Sequence, residues 1–111
     1  MSWQNELKNG FRTAQQLAPV LGWSAEETAQ YDEVIQKYPM LITPYYLSLV
    51  DPSDPDDPIG RMCIPSLAEL DKGGSFDTSG EAHNTKLEGL QHKYAQTSLL
   101  LSTNQCAMYC R

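Results

Sequence analysis

Near the end of the chain, three leucines, Leu99, Leu100 and Leu101, run through Ser102-Thr103-Asn104-Gln105 into Cys106-Ala107-Met108-Tyr109-Cys110-Arg111. A short apolar run bounded by polar residues reads as a strand buried on both faces, the kind found in parallel sheets. Residues 98–103 therefore read as a buried strand that delivers two cysteines into the loop after it. Two thiols three residues apart in that position read as the opening of an iron–sulfur loop. A further cysteine three positions beyond Cys110 would complete a CxxxCxxC pattern. That position falls after Arg111, so the chain reads as a front piece cut inside its motif.

The composition narrows the alternatives. A net charge of −6 over 111 residues argues against sequence-independent nucleic-acid binding, which needs clustered Lys and Arg. No apolar run approaches the ~20 residues needed to span a bilayer. The start, Met1-Ser2-Trp3-Gln4-Asn5-Glu6, lacks the charged and apolar stretches of a signal peptide. A cytoplasmic, reducing setting follows. There, a CxxxC pair points to redox or metal chemistry more than to a structural disulfide. Cys63, between Met62 and Ile64, reads as a buried inert thiol.

The first two-thirds read as short helices. Ser2 caps a turn with Trp3, Leu7 and Phe11 on one face. Thr13 with Gln16, and Ser24 with Glu27, form capping boxes for two helices, the first ended by Gly22. Tyr31, Val34, Ile35 and Tyr38 make an apolar stripe on the second, which stops before Pro39. Thr43 and Pro44 start a helix that is apolar nearly all round and so is expected to be buried. The aspartate and proline run at 51–58 excludes regular structure and reads as a rigid polar turn rather than a calcium loop. Ser66 and Glu69 box a short helix ended by Gly73-Gly74. Residues 75–96 show no periodicity, and a second strand to pair with 98–103 is not evident.

The fold class expected for this chain is therefore mainly α, short helices plus one C-terminal strand. Its parts are a helical region at 1–74, a long loop at 75–97, and a strand with the start of the cysteine loop at 98–111.

Four blocks carry a resemblance. They are Ile42-Thr43-Pro44-Tyr45-Tyr46-Leu47-Ser48-Leu49-Val50 running on through the Asp-Pro segment to Ile59, Ile64-Pro65-Ser66 with Glu69-Leu70, Gly89-Leu90-Gln91-His92-Lys93-Tyr94, and the stretch 99–111. In order and spacing they resemble the lysine 2,3-aminomutase family of radical SAM enzymes.

The resemblance implies a cytoplasmic, homo-oligomeric isomerase that carries a [4Fe–4S] cluster, S-adenosylmethionine and pyridoxal 5′-phosphate. Such an enzyme acts on a small amino acid, with neither nucleic acid nor membrane as partner. The fold it implies for this chain is the N-terminal helical region and first strand of an α/β partial (β/α) barrel. Three thiolates hold three irons of such a cluster, leaving the fourth for the amino and carboxylate groups of S-adenosylmethionine. Cys106 and Cys110 match the first two ligands; the third, and the aromatic or histidine before it, have no counterpart here. With two of three thiolates this chain alone is not expected to hold a stable cluster.

The family's His-Arg-Tyr element, which contributes to the pyridoxal phosphate site, reads His92-Lys93-Tyr94 here. Lys93 keeps the charge of the arginine and loses its bidentate geometry. A second family arginine aligns with Thr97. The Schiff-base lysine lies far downstream in the family, so this chain holds no catalytic residue of its own. Rival readings are a family relative that modifies a lysine on a protein, and a non-catalytic helical interaction module.

Overall fold

The computed structural model describes residues 2–111. Its contacts divide the described residues into two units, one formed by residues 2–71 with 106–111, the other by 72–105.

The first unit is helical. Helix α1, Trp3–Lys8, is capped by Ser2, and α2, Ala14–Leu21, begins in the Thr13/Gln16 capping box and ends on Gly22 in the left-handed region. Helix α3, Ala25–Lys37, begins in the Ser24/Glu27 box and ends at Tyr38, which the following Pro39 holds in extended geometry. The Glu27 carboxyl is held below the usual range chiefly by the backbone hydrogen bond at Ser24. Thr43 caps the single turn α4, Pro44–Leu47, and the Ser66/Glu69 box opens a 3-10 turn at Leu67–Leu70.

Three readings of this unit change. Phe11 lies outside α1, because the helix ends at Lys8 and the chain turns through the buried Gly10. Phe11 instead pairs with Ile42 in an isolated antiparallel bridge, N–H to O 2.7 Å one way and 3.1 Å the other. Helix α4 is buried only at Leu47, and Tyr45 is 66% exposed. Composition alone does not settle which sides of a single turn the rest of the chain covers. The Asp-Pro run also contains a helical turn, α5, Pro58–Arg61. Pro58 sits where no intrahelical donor is needed, and Asp57 accepts the Gly60 N–H at 2.7 Å.

The core gathers Ala14 and Leu17 of α2, Ile35 of α3, and Met40, Ile42, Leu47 and Cys63 from the segments that follow. Trp23 and Tyr31 stack beside it with ring centroids 4.1 Å apart.

The second unit replaces the expected long loop at 75–97 with ordered elements. Asp77 accepts the N–H groups of Glu81 (2.6 Å) and Ala82 (3.1 Å), which starts α6, Glu81–Asn84. Those bonds, that from Ala82 foremost, hold its carboxyl below the usual range. Three strands follow: β1, Thr85–Leu87; β2, Leu90–Tyr94; and β3, Thr97–Leu100. They form an antiparallel sheet in the order β1-β2-β3. The first turn passes through Gly89 at φ 78°, and the second spans only Ala95-Gln96.

The strand read at 98–103 as parallel and buried on both faces is thus Thr97–Leu100, antiparallel, and exposed along its length. A two-residue connection permits only antiparallel pairing. Nor does a short apolar run say by itself whether both its faces are covered. Leu99 pairs with Gln91 and Leu100 with Leu90, so the strand does have partners in this chain.

Among the described residues no helix is long and apolar enough to cross a membrane.

Candidate functional site

The residues singled out by the sequence fall in both units: Cys106 and Cys110 in the first, His92, Lys93 and Tyr94 in the second.

Residues 106–111 form neither helix nor strand, yet they are seated on the helical unit. Met108 packs against the core cluster. The Tyr109 N–H donates to the Leu41 carbonyl at 3.4 Å, and the Arg111 N–H to the Met62 carbonyl at 3.0 Å. Cys106 and Cys110 are both exposed and unbridged. This is the donor chemistry an iron–sulfur cluster takes, soft thiols that solvent and iron can reach. Among the described residues no set of three or more His, Cys, Asp or Glu side chains is placed to hold a metal. The two thiols therefore fit part of a cluster's ligand set, and the described residues add no third.

Cys63 differs in kind. It is fully buried, and its thiol contacts the Ile59 carbonyl oxygen at 3.5 Å. Burial, aided by the Asp57 charge, pushes the thiol up from 9.0 to about 11, while Arg111 pulls the other way. A thiolate is the reactive form. Iodoacetamide on the folded chain at about pH 8 is therefore expected to label Cys106 and Cys110 and to spare Cys63 until denaturant is added. Mass spectrometry after digestion reads the result. The same shift has a pH consequence. An unfolded thiol releases its proton near 9.0 and the folded one near 11. Stability is full below the lower value and falls as pH rises between the two. Denaturant midpoints measured across that window are expected to decline, and Cys63→Ala to flatten the decline.

His92, Lys93 and Tyr94 close β2 and are all exposed. The Lys93 ammonium stands 5.7 Å from the centroid of the Tyr94 ring. Tyr94 pairs across the hairpin with Thr97. The element presents an ammonium, an imidazole and a phenol hydroxyl, each a group able to contact a phosphate.

Sequence reasoning passed over two features. One is Arg111, whose side chain is almost wholly buried and reaches Glu69 and the Tyr38 carbonyl. Those partners lie 42 and 73 residues away, beyond the range of any local pattern. The other is a cleft of about 730 Å³ in the helical unit, with Trp23, Tyr31, four aspartates of the 51–57 run, Glu69 and Arg111 in its walls. Its acidic wall belongs to a turn read only as structural.

No protein-family model matches the chain. Individual relatives do. It is 37% identical over 111 residues to an L-lysine 2,3-aminomutase of Clostridium subterminale, a match covering 98% of this chain and 27% of that protein. It is 34% identical over 112 residues to the L-lysine 2,3-aminomutase of Bacillus subtilis, covering 98% of this chain and 24% of that protein. It is 34% identical over 113 residues to a glutamate 2,3-aminomutase of Clostridioides difficile, covering 98% and 27%. The chain belongs to the lysine 2,3-aminomutase family. It spans about a quarter of the length of the curated relatives it matches.

Proposed function

We propose that this chain serves an amino acid 2,3-aminomutase, an isomerase that moves an amino group between the α and β carbons of a small amino acid. The observation that carries the reading is the pair of exposed, unbridged thiols in a CxxxC segment seated on the helical unit, in a chain that aligns over 98% of its length with proteins named for that reaction. The barrel context, a cytoplasmic setting and a homo-oligomeric state belong to the same proposal.

In it, Cys106 and Cys110 bind two irons of a [4Fe–4S] cluster as thiolates. Lys93 supplies a positive charge to the phosphate of pyridoxal 5′-phosphate, with Tyr94 and His92 as hydrogen-bonding neighbours. When bound, the cluster would supply the electron that cleaves S-adenosylmethionine, and the pyridoxal group would carry the migrating nitrogen. The chain's own part is to hold and orient these groups.

The test uses the complete reading frame that carries this segment, purified without oxygen and supplied with iron, sulfide, both organic cofactors and a low-potential reductant that delivers the electron to the cluster. Formation of a β-amino acid from L-lysine or L-glutamate is the expected result. A fully loaded protein that converts neither overturns the proposal. In the same protein, Lys93→Ala is expected to weaken pyridoxal phosphate binding about tenfold, the worth of one charge-assisted contact. Lys93→Arg, which restores the fork geometry, is expected to tighten it. Absorbance titration with the cofactor reads both.

A further inference from the structure

Arg111 follows the second thiol directly, and four segments of the helical unit receive residues 109–111. Its Nη2 donates to the Tyr38 carbonyl at 2.9 Å. Tyr38 is the C-cap of α3, where a carbonyl has lost its helical donor and a cation is favoured. Its Nη1 donates to Glu69 Oε2. That carboxylate is already oriented, because Oε1 accepts the Ser66 N–H at 2.8 Å within the capping box. The Arg111 backbone N–H is held by Met62, and that of Tyr109 by Leu41. The guanidinium side chain is only 7% exposed, and its Nε is buried without a partner among the described residues. A buried charge is costly unless it is paired. The arrangement therefore tolerates little displacement of residue 111, and through the peptide bond little displacement of Cys110.

We propose that Arg111, clamped by Glu69 and the end of α3, is a positioning residue that fixes the backbone under the Cys110 thiol so that it meets iron in a set place. The claim rests on the ligand reading of Cys110 and adds to it the means by which a segment without helix or strand keeps one thiol in register. Arginine suits the task because its planar fork serves two acceptors at once; a lysine ammonium on a flexible stem does not hold that geometry.

The test needs no cluster and uses the 111-residue chain. Amide exchange resolved by NMR is compared between the unsubstituted chain, Arg111→Lys and Glu69→Gln. The expected result is exchange at Tyr109 and residue 111 faster by about ten- to a hundredfold in both variants, the worth of a hydrogen bond to a charged group, with Leu17 and Ile35 unchanged. Unaltered exchange at 109 and 111 overturns the proposal. So does a rise shared equally by Leu17 and Ile35, since it makes the residue a general structural support.

Cobalt(II) then separates the latch from the ligand. Binding seen as thiolate-to-cobalt charge transfer in the unsubstituted chain, and weakened about tenfold in Arg111→Lys, supports the positioning role. Equal affinity in the two overturns it. Cobalt bound with no thiolate band in the unsubstituted chain counts against the ligand reading, and exchange at 109 and 111 then judges the latch by itself.

Discussion

Leu17→Ala is expected to lower the unfolding free energy of the helical unit by about 3 kcal/mol. Leu17 sits on the inner face of α2, wholly buried within the cluster that also holds Ala14, Ile35 and Ile42. Truncation removes buried methyl groups and leaves a cavity that its neighbours fill only in part. Domains are stable by only ~5–15 kcal/mol, so a loss of that size takes a large share of the total. Val20, on the same helix but 48% exposed, gives the control: Val20→Ala is expected to change stability by no more than about 0.5 kcal/mol. Urea denaturation followed by circular dichroism separates the two. Equal effects would mean that α2 does not pack as described.

Cys106→Ser and Cys110→Ser are each expected to abolish turnover in the complete reading frame while leaving the helical unit folded. Both side chains are exposed, so a hydroxyl in place of a thiol removes little packing and creates no cavity. Serine oxygen is a poor substitute for a soft thiolate toward iron. A cluster short of one ligand loses iron, and a reaction that depends on it stops. Cys63→Ser is the opposite case. That side chain is buried in the core, so substitution is expected to cost stability by about 1–3 kcal/mol, the range for a buried polar group without full compensation, and to leave iron content per folded molecule unchanged. Iron and sulfide analysis beside a melting curve distinguishes the exposed pair from the buried thiol.

The helix starts at Ser2, Thr13, Ser24, Thr43 and Ser66 were legible because capping is decided within four residues of the cap. Gly22 and Pro39 were legible as stops for the same reason. What was missed is non-local. Phe11 leaves its helix to pair with Ile42. β2 takes Leu90-Gln91-His92-Lys93-Tyr94, a run whose strand character comes from its neighbours on either side rather than from alternation. β3 was found but read as parallel, buried and without a partner in this chain, since leucines report hydrophobicity and not direction. The candidate site divides in the same way. The thiols and the His92-Lys93-Tyr94 element can be read from spacing and resemblance. The clamp on Arg111 joins residues brought together only by the fold.

One measurement bears most directly on the claim that Cys106 and Cys110 are iron ligands. The chain is extended after Arg111 by an aromatic residue and a cysteine, which supplies a thiol three positions beyond Cys110, and is reconstituted without oxygen with iron and sulfide. A [4Fe–4S] absorption at about one cluster per chain, with a paramagnetic signal once a reductant has added one electron, is the expected result, absent from the unextended chain and lost again on Cys106→Ser or Cys110→Ser. An extended chain that assembles no cluster, or one whose cluster survives either serine substitution, would contradict the claim.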